Sequence, residues 1–69
     1  MISKRITVKG KKQNLYKITI LNGINTVSQI KKGLMLDTIK KVGVTYRFED
    51  ALNLVRSYSG REVVEVVNW

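Results

Sequence analysis

Asn14-Leu15-Tyr16-Lys17-Ile18-Thr19-Ile20-Leu21-Asn22-Gly23-Ile24-Asn25-Thr26-Val27 is the stretch on which the fold turns. Tyr16, Ile18 and Ile20 share one parity, and Leu15, Lys17, Thr19 and Leu21 the other. That period of two marks a half-buried strand. Asn22-Gly23 follows at once between apolar flanks. A type I′ hairpin turn needs positive φ at both central residues, and Asn-Gly supplies it most readily. Residues 24–30 are therefore expected to return as a third strand, with Val27 opposite Ile18 and with Asn25 and Gln29 facing the same side. The rival reading is a helix from about Thr26 that carries Val27, Ile30 and Leu34 at spacings of three and four. The strand is favoured because Gly33 would fall in the middle of that helix.

Upstream, Ile2, Ile6 and Val8 alternate with Ser3, Arg5, Thr7 and Lys9, which predicts a strand over 2–9. Lys4 interrupts the apolar phase and is expected at a frayed edge. Gly10 to Asn14 connects the two strands with turn-type and charged residues. For Ile6 and Val8 to share a face with Tyr16 and Ile18, the connection must hold an odd number of residues, three or five. In that register the opposite face presents Arg5, Lys9 and Lys17, with Thr7 and Thr19 between them.

Downstream, Met35, Ile39 and Val42 recur at helical spacing within 34–42. Lys40 and Lys41 would lie in the last turn and Gly43 at the C-cap, with a strand as the alternative. The clearest helix covers 46–58, where Phe48, Ala51, Leu52, Val55 and Tyr58 form one stripe. Thr45 is its expected N-cap, Glu49 and Asp50 suit its opening turns, and Gly60 follows its end. Val63-Val64-Glu65-Val66-Val67 reads as a strand either covered on both faces or paired with another chain. The fold class is α+β: an N-terminal antiparallel β-hairpin or meander, one or two short helices and a C-terminal strand, in a single domain over 1–69.

Composition narrows function mainly by exclusion. The chain has 69 residues, 13 Lys+Arg, 5 Asp+Glu and no Cys, His or Pro. A chain this short buries only about 60% of its unfolded surface, and small scaffolds usually need a disulfide, a metal or a partner copy. Without Cys or His, disulfides, an ordinary zinc site, a Ser-His-Asp triad and a Cys nucleophile are all excluded. Homo-oligomerisation is the stabilising device that remains. The carboxylates Asp37, Glu49, Asp50, Glu62 and Glu65 lack the spacing of a magnesium nuclease, and single scattered glycines make no phosphate loop. No enzymatic activity and no cofactor are expected. No apolar run approaches a membrane span, no signal peptide is read after Met1, and the expected location is cytoplasmic.

The charge is polarised. Residues 1–41 hold ten Lys+Arg and one acid, giving +9. Residues 42–69 hold three Lys+Arg and four acids, giving −1; the whole chain carries +8. Arg5, Lys9, Lys11, Lys12 and Lys17 in the hairpin, supported by the pairs Lys31-Lys32 and Lys40-Lys41, are the candidate contacts to nucleic-acid phosphates, DNA or RNA. The bland alternative is a solvated face whose lysines guard sheet edges. Tyr16 could stack a base, but its parity places it in the core. A helix-turn-helix over Leu36 to Leu54 is disfavoured, since Glu49 stands where the second helix needs an apolar residue and the helix start is acidic.

Thr45-Tyr46-Arg47-Phe48-Glu49-Asp50-Ala51-Leu52, then Ser59-Gly60-Arg61 and a Val-rich strand, resembles the C-terminal half of small prophage proteins of the YonK type. Ile6-Thr7-Val8-Lys9-Gly10 is similar to their N-terminal stretch. The resemblance implies a phage or prophage origin and a small oligomer, with no assigned activity. The expected function is a small basic, phage-type, non-enzymatic binding module that contacts phosphates with little sequence preference. The alternative is a protein-interaction module, docking on an acidic partner or forming a homo-oligomer, with Val64, Val66 and Trp69 as interface residues and Phe48, Val55 and Tyr58 in support.

Overall fold

The computed structural model describes residues 1–10, 14–31 and 33–69, and of Asn14 the backbone only. Its elements in chain order are β1 (Ile2–Val8), β2 (Asn14–Leu21), β3 (Ile24–Lys31), β4 (Thr38–Thr45), α1 (Phe48–Ser59) and β5 (Val63–Asn68). The five strands form one antiparallel sheet in the order β4-β3-β2-β1-β5. The first four make a meander. α1 then carries the chain from the β4 edge, across one face, to the opposite edge at β1.

The parity argument holds in detail. Five residues separate β1 from β2, and the register pairs Ile6 with Tyr16 and Arg5 with Lys17. Asn22 at φ 52° and Gly23 at φ 77° make the tight turn, because both lie in the left-handed region that type I′ demands. β3 is the expected third strand, with Ile18 opposite Val27. Asn25 and Gln29 are buried on the same face.

Ile6, Val8, Tyr16, Ile18 and Val27 on that face meet Ala51 and Val55 of α1 to form the core. Ile20, Val42, Phe48, Leu52, Leu54 and Val63 pack around it. Tyr58 meets the ring of Tyr16 edge-on, with centroids 6.3 Å apart. The apolar stripe of the sequence is buried from Phe48 to Val55, with Leu54 added to it, while Tyr58 remains exposed at its end. The acidic first turn (Glu49 and Asp50) complements the helix dipole.

Several expectations are corrected. Residues 38–45 are a strand, the alternative to the expected short helix over 34–42; α1 is the one helix among the described residues, and the disfavoured helix-turn-helix does not form there. Thr38, Ile39, Val42, Val44 and Thr45 are β-branched, and the free edge of β3 offers them a full ladder. That non-local pairing prevails over a coincidental helical spacing, in which Met35 and Ile39 are in fact exposed. A bulge falls between Val27 and Ser28 of β3 and makes Val42 the extra residue of β4. Gly43 is no helix cap: a Cβ there would come within 2.9 Å of Leu54 Cδ2, so it gives α1 room on the sheet.

The helix runs 48–59 rather than 46–58. Its N-cap is Arg47, which makes no side-chain capping bond. Thr45 does not cap the helix; its hydroxyl donates to the Arg47 carbonyl at 3.0 Å. Gly60 closes the C-terminus at φ 70°, its N–H donating to the Arg56 carbonyl. Lys4 is not at a frayed edge. It lies in an interior strand opposite Ile18 and Asn68, and its Nζ donates to Asn68 Oδ1. β5 is not covered on both faces: it is an edge strand, with Val64 and Val66 exposed.

Candidate functional site

α1 packs on one face of the sheet, chiefly over β3 and β4. The other face carries no described helix or strand. The register places side chains on it in rows that cross the strands. One row runs Val67, Arg5, Lys17, Ser28, Lys41 from β5 to β4. The next holds Ser3, Thr19, Thr26 and Val44. On the other side of the cationic row stand Leu15, Ile30 and Ile39. Neighbouring strands lie about 4.8 Å apart. Arg5 and Lys17 are therefore adjacent, and Lys41 stands about 10 Å beyond Lys17, with hydroxyl donors between and beside them.

Two contacts tune this row. Lys17 Nζ sits 5.3 Å from the centroid of the Trp69 ring, a cation–π contact that holds the ammonium on the open face. Arg5 Nη2 lies 3.9 Å from Glu65 Oε1, with both side chains about half exposed. An ion pair that wet contributes under about 1 kcal/mol, so Arg5 remains free to exchange Glu65 for another anion.

The remaining basic candidates gather at one end of the sheet. Lys9 follows the end of β1, Lys31 ends β3, and Lys40 lies near the start of β4; all are exposed. Lys40 pairs with Gln29, so it belongs to the parity of the helix side, and so does Lys31. They do not share a face with Arg5 and Lys17. Lys11, Lys12 and Lys32 lie outside the described residues.

Arg61, not among the candidate phosphate contacts, joins the same end. Its Nη1 donates to the Lys9 carbonyl at 3.0 Å, and the Lys9 N–H donates to the Glu62 carbonyl at 2.9 Å. The Gly-Arg pair after the helix was its only signal in the sequence. Arg56 is committed elsewhere, with Nη1 donating to Asn53 Oδ1 at 2.7 Å and Nε 3.7 Å from Glu62.

Of the expected interface residues, Val64 and Val66 lie on the outer strand. Trp69 stands beyond β5, about half exposed beside Lys17. Among the described residues no three His, Cys, Asp or Glu side chains converge, and no helix is long and apolar enough to cross a membrane. No protein-family model, curated protein or solved structure matches the chain.

Proposed function

We propose that this protein is a non-enzymatic binding module that holds the phosphate backbone of a nucleic acid across the open face of its sheet. One observation carries the reading: Arg5, Lys17 and Lys41 occupy a single cross-strand row on the face that α1 leaves uncovered. Cations in such a row gain affinity for a polyanion chiefly by releasing its counterions. Ser28, Thr19 and Thr26 add hydroxyl donors to phosphate oxygens. Lys9, Lys31, Lys40 and Arg61 extend the positive field beyond one end of the row, which steers encounter. The one helix among the described residues lies on the opposite face of the sheet, so low sequence preference is expected.

Titration of labelled DNA and RNA at two salt concentrations tests this. With the three cations of the row engaged, log K is expected to fall against log salt with a slope of about −2 to −3. Replacing Lys17 and Lys41 together by Ala should flatten that slope by about 1.5 to 2 and weaken binding for all sequences alike. Absence of binding at low salt, or affinity indifferent to salt, overturns the reading.

A further inference from the structure

The hydrogen-bond phase of β5 points to a partner. The Trp69 N–H donates to the Ser3 carbonyl at 2.9 Å, and the register then runs Lys4 to Asn68, Arg5 to Val67 and Ile6 to Val66. Bonded and non-bonded pairs alternate along an antiparallel ladder. Arg5–Val67 is therefore a bonded pair, while Lys4–Asn68 and Ile6–Val66 are not. The N–H and C=O groups of Val66 and Asn68 consequently point away from β1, out of the free edge of the sheet.

The two edges of the sheet are treated differently. β4 carries Lys40 and Lys41 and a bulge at Val42, devices that discourage edge pairing. Val63–Asn68 carries no Lys or Arg. It exposes Val64 (59%) and Val66 (40%) instead. A bulge there also falls at Val64, which leaves residues 65–68 regular.

We infer that the chain forms a two-fold homodimer in which β5 pairs antiparallel with β5 of a second copy, centred on Val66. That centre joins the two outward-facing Val66 backbones as a bonded pair and brings Asn68 up to the bulge at Val64 of the partner subunit, where the regular ladder ends. It sets Glu65 opposite Val67 of the partner subunit, so no two carboxylates meet. Each Glu65 also enters the cross-strand row of the other copy's Arg5, with Val67 between them, an attractive arrangement on an otherwise strongly basic molecule. The symmetry axis stands perpendicular to the sheet. The two sheets become one, both helices lie on one side and both cationic rows on the other. For a 69-residue chain without disulfides, the added edge is the kind of stabilisation that small domains require.

Sedimentation velocity on the whole chain tests the dimer, at rising protein and salt concentration. The expected species has twice the 7.9 kDa mass of one chain. Its association strengthens with salt, because two copies at +8 repel, whereas binding to phosphates weakens with salt. Val66→Pro removes an outward N–H and should give a folded monomer. Glu65→Pro removes an inward one and should destabilise the fold itself. Val66→Lys keeps the backbone but apposes two ammonium groups, and should weaken dimerisation at least about tenfold. A wild-type chain that stays monomeric throughout overturns the proposal, as does a dimer that survives both Val66 substitutions undiminished. Neither result touches the phosphate-binding reading, because Arg5, Lys17 and Lys41 belong to one copy.

Discussion

Gly43 and Tyr16 show how single side chains set the seat of the helix. Gly43 faces α1, and a Cβ there would approach Leu54 Cδ2 to 2.9 Å. The far end of a leucine can turn aside, so Gly43→Ala should cost under about 1 kcal/mol, whereas Gly43→Val overpacks the site and should cost about 1 to 3 kcal/mol by urea denaturation. Equal stability of wild type and the Val variant would show that α1 does not need the space. Tyr16 is buried beneath α1, with Gln29 Nε2 donating to its hydroxyl at a long 3.4 Å. Burial pushes its pKa up, the neighbouring Tyr58 adds to this, and the Gln29 hydrogen bond pulls the other way. A raised pKa in the folded state means that the neutral phenol is the form the fold prefers. Its contribution is fully present below the ordinary tyrosine value and is lost as pH climbs above about 10. Tyr16→Phe keeps the ring and is expected to match wild type within about 1 kcal/mol near neutral pH. It should lose less stability between neutral and strongly alkaline pH, as thermal melts will show; parallel losses in the two proteins would refute the assignment.

At the scale of elements, α1 was the most legible. Phe48, Ala51, Leu52, Val55 and Tyr58 share a face because 3.6 residues make a turn; all but Tyr58, which stays partly exposed at the rim, pack into the core. The β2–β3 hairpin was equally plain, since few sequences other than Asn-Gly tolerate two successive positive φ values. β4 was not legible. Met35, Ile39 and Val42 mimic a helical stripe, yet Leu34 (106%), Met35 (93%) and Leu36 (83%) lie fully exposed in the connection before the strand. Having no packing to lose, the triple change of Leu34, Met35 and Leu36 to Ser should leave the melting temperature unchanged while raising solubility. A marked drop in melting temperature would mean that the connection packs on the sheet after all.

At the scale of the whole molecule, the sheet sorts the charge. β1 ends, β3 ends and β4 begins at one end of the sheet, which brings Lys9, Lys31 and Lys40 together, with Arg61 beside Lys9. Glu49 and Asp50 start the helix at the other end. The sorting is partial: Asp37 and Glu62 precede β4 and β5 at the basic end, and Arg47 precedes the helix at the other. The candidate site was half legible: parity placed Arg5 and Lys17 on one face, because alternation along each strand and an odd connection between strands are local properties. Lys41 joins their row only through the pairing of β3 with β4 and its bulge.

The sequence by itself determined the alternation of faces within β1, β2 and β3 and most of the buried stripe of α1, where the tight turn lies, and that the chain is basic in its first half. The periods of two and 3.6 are set by backbone geometry and need no partner to be read. Only the tertiary structure decided that residues 38–45 extend the sheet and that the Val-rich strand crosses to the far edge of β1. The physical reason is that a strand's N–H and C=O groups are satisfied by another strand, and which strand that is depends on contacts between residues far apart in the chain.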